Sequence, residues 1–186
     1  MTLIGHNKGP TMEEGHSWRK HCWAEARRAL LPTLPLEVVR LRVARARAIG
    51  LDYKTYATVR ATTGQDIVAF LFSSNALRLF APAPRLPPDR ADRLAGVQAC
   101  TRLAAIQRPL IPDQIQLADL DAAFAAPLPF ATWGQVRTTL RAAVASHRLP
   151  AEGVLLIGDT QAEQGWTAAA ALAGYLTADR FFGTAT

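Results

Sequence analysis

The sequence predicts a mainly α protein: two helical halves packed together and joined by a proline-rich linker, with at most one or two short strands. Three observations carry that expectation. Apolar residues recur at helical spacing along several segments. Thr132-Trp-Gly-Gln135 and Thr160-Gln-Ala-Glu163 are capping boxes, each of which opens a helix. Pro82, Pro84, Pro87 and Pro88 make residues 81–88 a stiff, extended break. Hydrophobic residues are 49% of the 186, enough to fill the core of one domain, or of two small ones sharing it.

Residues 1–16 read as a flexible arm, with Gly5, Gly9, Pro10 and Gly15 interrupting a polar run. Residues 17–80 form the first helical half. Ser17 caps a helix over 18–31, whose stripe is Trp18, Cys22, Ala26 and Ala29. The next helix, 36–49, is apolar on two sides, which predicts packing between neighbours with its arginine stems laid along apolar surface. Gly50 ends it as a left-handed cap, and Asp52 caps a short helix over 53–61. Thr63-Gly-Gln-Asp66 then opens a further helix, with Thr63 as its cap. Residues 67–80 are hydrophobic nearly all round. Ile67–Phe72 alone suits a buried strand equally well, and the length of the run favours a helix.

The second half, 89–186, starts with a helix over 89–107. A shorter one covers 115–125 and stops before Pro127. The helix opened by Thr132 runs to about His147, with Val136, Leu140 and Val144 on one side. Residues 153–158, Gly-Val-Leu-Leu-Ile-Gly, are the strand candidate. The helix opened by Thr160 carries Trp166, Ala170 and Ala173.

The net charge is +6, and apart from Lys8, Lys20 and Lys54 the cations are arginines. Arginine favours planar contact with phosphates and carboxylates, so the partners indicated are anionic. Residues 46–61 have the spacing of a helix-turn-helix, with Ala46 at the helix contact, Gly50 in the turn, and Ile49, Leu51, Tyr56 and Val59 as flanking apolar residues. Arg45 departs from that pattern, standing where an apolar residue is usual. The second helix presents Tyr53, Lys54, Thr55, Thr58 and Arg60, donors suited to phosphates and base edges.

The leading expectation is therefore a non-catalytic cytosolic protein that binds DNA through 36–61. A helical adaptor that docks another protein through the basic half is the alternative. A second alternative is a small α/β enzyme with a phosphate or metal site where Ser73-Ser74-Asn75 and Asp159-Thr160 meet beyond strand ends. No dinucleotide or phosphate-loop glycine motif is present, so no cofactor is assigned. No catalytic residue or metal ligand is assigned either. The histidines lack the paired spacing of a zinc site, and the four tryptophans read as core anchors. No apolar run reaches the length of a membrane span. Cys22 and Cys100 read as reduced, buried thiols in a cytoplasmic protein.

Overall fold

Strands, expected to be at most one or two and short, number five among the described residues, all of them parallel. A computed structural model describes residues 34–81, 84–115 and 118–183, and the chain divides into two compact units, residues 1–39 and 40–186. Of the first unit, residues 34–39 are described, and they include the first turn of helix α1 (Leu36–Ala48). The second unit continues with α2 (Tyr53–Thr63), β1 (Ala69–Ser73), α3 (Pro88–Ala95), β2 (Thr101–Ile106) and β3 (Ala122–Ala125). After these come α4 (Trp133–Ser146), β4 (Val154–Gly158), α5 (Gln161–Ala170), β5 (Gly174–Thr177) and α6 (Ala178–Phe182).

The strands lie in the order β3-β2-β1-β4-β5, and every neighbouring pair is parallel. A parallel sheet needs cover on both faces, and alternate residues of each strand meet two separate clusters. Phe70, Phe72, Leu155 and Ile157 pack with Tyr56 of α2, Leu94 of α3 and Phe181 of α6. Leu71, Leu103 and Leu156 pack with Val136, Leu140 and Val144 of α4 and Trp166 of α5. On the first face Phe181 meets Phe70 and Phe72 edge-on, with ring centroids 5.1 and 5.4 Å apart, a favourable aromatic geometry.

The mainly α fold is thus corrected to α/β. Residues 67–80 are not a helix: β1 takes Ala69–Ser73, buried at every position, and the chain then turns. The helix over 89–107 is α3 followed by β2, and that over 115–125 gives way to β3 at its end, with a short 3-10 turn at Pro112–Gln114 just before it. Thr63-Gly-Gln-Asp66 opens no helix. Gly64 instead closes α2 in the left-handed region at φ 72°, donating its N–H to the Arg60 carbonyl. Ala173 lies beyond the end of α5, and β5 follows. Nor are there two helical halves on either side of residues 81–88, because β1 before that stretch pairs with β2 after it, Ala69 opposite Thr101.

Locally specified elements came out as read. Asp52 caps α2, accepting from the Thr55 N–H at 2.9 Å. Gly50 is left-handed at φ 74°. Both capping boxes are formed, and the strand candidate is β4. In α1, Ala46 is buried, whereas Leu41 is 71% exposed. The arm over 1–16 and the helix over 18–31, with Cys22, lie outside the described residues. Among the described residues, no helix is long and apolar enough to cross a membrane.

Candidate functional site

β1 and β4 are the strands at which this sheet changes direction. The chain leaves β1 towards α3 on one face and leaves β4 into α5 on the other. Diverging loops at such a switch point open a crevice beyond the carboxyl ends of the strands. Ser73–Asn75 and Gly158–Thr160 both lie there, brought together by the pairing of Phe72 with Ile157. The α/β alternative joins these two segments only if Ile67–Phe72 is a strand, and β1 stands there in place of the favoured helix.

A side chain of the protein itself fills the position where they converge. Glu163, in the first turn of α5, is fully buried. Its Oε1 accepts from Asn75 Nδ2 and from Gln107 Nε2, each at 2.9 Å. Its Oε2 accepts from the backbone N–H groups of Asp159 at 2.6 Å and Thr160 at 3.0 Å. The helix N-terminus that would favour an anion therefore already holds a carboxylate. Ser74 joins the network: its hydroxyl donates to Gln107 Oε1 at 3.2 Å and accepts from the Gln107 N–H at 3.1 Å. Ser73 Oγ accepts from the Ala76 N–H. Gly158 lets the strand pass this packing, since a Cβ there would lie 2.6 Å from Tyr175 Cε2 and 3.0 Å from Glu163 Oε2. Burial, together with the nearby Glu163 and Asp159, pushes the Tyr175 hydroxyl above its ordinary pKa. Among the described residues, no three His, Cys, Asp or Glu side chains gather as metal ligands.

Open space lies beside this network, over the carboxyl ends of β2 and β3. A cavity of about 460 Å³ is walled by Gln107 and Arg108 after β2, the loop 127–131 after β3, Trp133 and Val136 of α4, and one face of α5. That face, Ala162, Gly165, Trp166 and Ala169, has i, i+3, i+4, i+7 spacing. Its small residues leave the floor open: nothing lies within 4 Å of a Cβ built on Gly165. Trp166 is buried, Trp133 is 59% exposed, and Leu128 and Phe130 stand exposed at the rim. Phe130 has φ 64°, a strained value for a bulky residue. Arg108 is exposed, and its guanidinium bonds to nothing among the described residues.

The residues expected to touch DNA lie on the other side of the sheet, in and around α2. Tyr53 is half-buried, and Lys54 and Thr58 are exposed, the Thr58 hydroxyl donating back to the Lys54 carbonyl at 2.8 Å. Thr55 is buried; its hydroxyl donates to Asp52 and accepts from Arg180 Nη2 at 2.9 Å. Burial opposes the charge of Asp52, but the Thr55 bonds and Arg180 outweigh it and hold the carboxyl below its ordinary range. Arg60 pairs with Asp66 at 3.5 Å and donates to Tyr56 Oη. Arg45 donates to the same Asp66 at 3.1 Å and to the carbonyls of Ala99 and Ile67. Arg93 of α3 clasps the Gly50 carbonyl. Much of this arginine chemistry is turned inward. Among the described residues Arg90 is a buried exception: it is 4% exposed, stacks over the Phe182 ring at 4.5 Å, and leaves Nε and Nη1 without a hydrogen-bond partner.

Neither Gln107, the last residue of the helix expected over 89–107, nor Arg108, in the turn expected after it, stood out in the sequence as a site residue. Trp133 and Trp166 were expected to be core anchors in the first two turns of their helices, and of the two only Trp166 followed a strand candidate, 153–158. Comparison with protein-family models, with curated proteins and with solved structures found no match.

Proposed function

We propose that the protein is an α/β domain that binds a small organic molecule in the cavity at the carboxyl ends of β2 and β3. One observation carries this reading. A cavity of about 460 Å³, mostly apolar and bordered by Gln107 and Arg108, adjoins the switch point of a parallel sheet, where ligands of such folds are held. The phosphate or metal site expected at Ser73–Asn75 and Asp159–Thr160 has less support, because Glu163 already occupies the converging donors.

Anilinonaphthalene sulfonate, an apolar fluorophore with one anionic group, tests the proposal. The wild-type chain is expected to bind it saturably at one site, and Gly165→Leu, which places an isobutyl group on the open floor, is expected to abolish binding while the chain stays folded. Equal fluorescence from both proteins overturns the reading.

A second reading, DNA recognition by α2, draws support from the Gly50 turn, the Asp52 cap and the exposure of Lys54 and Thr58. Under it, Lys54→Ala with Arg60→Ala abolishes binding of duplex DNA, and binding falls steeply with salt. Unchanged affinity excludes it.

A further inference from the structure

Three of the polar side chains that line the cavity share one property. The indole N–H groups of Trp133 and Trp166 and the guanidinium of Arg108 can only donate, and none of them makes a hydrogen bond among the described residues. Among the described residues of the lining, Gln107 carries the only side-chain acceptor, and its Oε1 already receives the Ser74 hydroxyl. Its Nε2 gives one hydrogen to Glu163 and keeps a second. Among the described residues, no carboxylate borders the cavity. A ligand rich in donors would find little to accept them, and a cationic one would meet Arg108 uncompensated.

From this one-sided lining we infer that the ligand is an aromatic anion, a flat apolar body carrying a carboxylate or phosphate. The anionic group sits on Arg108, which presents five donors in a planar fork. The ring system lies against Trp133 and Trp166, over the floor that Gly165 and Ala169 leave low. The overall charge of +6 favours the approach of such a ligand. The inference rests on the cavity reading proposed above and narrows it to a chemical class.

Calorimetric titration of the full chain with naphthoate, naphthyl phosphate and naphthylmethylammonium tests it, since the three share a ring and differ in charge. Both anions are expected to bind, the ammonium at least about tenfold more weakly. Arg108→Met keeps the stem, removes a guanidinium that bonds to nothing among the described residues, and is expected to weaken the anions by about tenfold or more without weakening the ammonium. Tighter naphthoate assigns a carboxylate ligand, and tighter naphthyl phosphate assigns a phosphate. Ammonium binding equal to that of the anions, or anion binding indifferent to Arg108→Met, overturns the charge assignment; the cavity reading survives if Gly165→Leu still removes binding. Binding of every probe unaffected by Gly165→Leu, or no binding at all, overturns both.

Discussion

The side-chain amide of Gln107 donates to Oε1 of Glu163 at 2.9 Å, across 56 residues of sequence. That bond ties the end of β2 to the first turn of α5, while Asn75 ties the end of β1 to the same oxygen. Three strand ends are thereby fixed on one carboxyl group, and the polar wall of the cavity is held in a single orientation.

Removing that group strands four donors. Glu163→Ala is expected to destabilise the fold by about 3 kcal/mol, given about 1–3 kcal/mol for each buried polar group left unpaired and partial relaxation around the site. Glu163→Gln should cost less, because Asn75 can turn its amide to meet the new nitrogen. Urea denaturation of the three proteins measures the order, and an alanine variant within about 0.5 kcal/mol of wild type refutes the clamp.

Gly158→Ala forces a methyl group against Tyr175 and Glu163. Overpacking of this kind costs about 2 kcal/mol. Trimming Tyr175 to leucine in the same chain should recover part of the loss, a coupling that a double-mutant cycle reads directly.

Arg90→Met is expected to stabilise the protein by about 1 kcal/mol. Two unmade guanidinium donors cost more than the stacking over Phe182 returns, and methionine fills a similar volume. A lower melting temperature would mean that the guanidinium contributes through its stacking after all.

Asp121 supplies a pH dependence. Burial works against its charge, but its bonds to the Arg102 backbone N–H at 2.7 Å and to the Arg102 guanidinium prevail, so its folded pKa lies below the ordinary carboxylate range. A carboxyl group with a depressed folded pKa contributes stability that is complete above its unfolded value and is lost as pH falls through the folded one. Asp121→Asn should therefore destabilise at neutral pH and lessen the further loss below about pH 4. Chemical denaturation at neutral and acid pH checks the sign.

A different forecast concerns Cys100. Burial pushes its thiol up to about 12, so at neutral pH almost none of it is the reactive thiolate. Alkylation by iodoacetamide, followed at the peptide level, should be many times slower in the native chain than in the denatured one. Equal rates would show the thiol to be open.

What could be read from the sequence was what is decided locally. The Asp52, Thr132 and Thr160 caps, the Gly50 turn and helices α2, α4 and α5 each depend on residues within a few positions of one another, and each is present. The sheet was hidden for physical reasons. β1 is buried on both faces, so Ala-Phe-Leu-Phe-Ser shows no alternation to separate it from a core helix. β3 is Ala-Ala-Phe-Ala, a helix-favouring composition that pairing with Leu103–Ile106 overrides. Asp66 looked like a first-turn acid, whereas it receives Arg45, Arg60 and Tyr56 from earlier helices. Of the candidate site, the meeting of Ser73–Asn75 with Asp159–Thr160 was legible only if Ile67–Phe72 was a strand. The capping box disclosed only half of Glu163, because its other partners are 88 and 56 residues away.

The central position of β1 bears on how the protein is made. Ala69 pairs with Thr101 on one side and with Val154 on the other, so a ribosome releases β1, β2 and β3 well before β4 exists to close the second edge. Until then β1 offers a row of unpaired amides, and the Leu71 and Leu103 face awaits α5 as well. Non-local parallel pairing of this kind is slow and open to aggregation. The nascent chain should thus depend on holding chaperones until about residue 170 has emerged. Neither fragment made by cutting at the prolines of 81–88 can build the sheet alone.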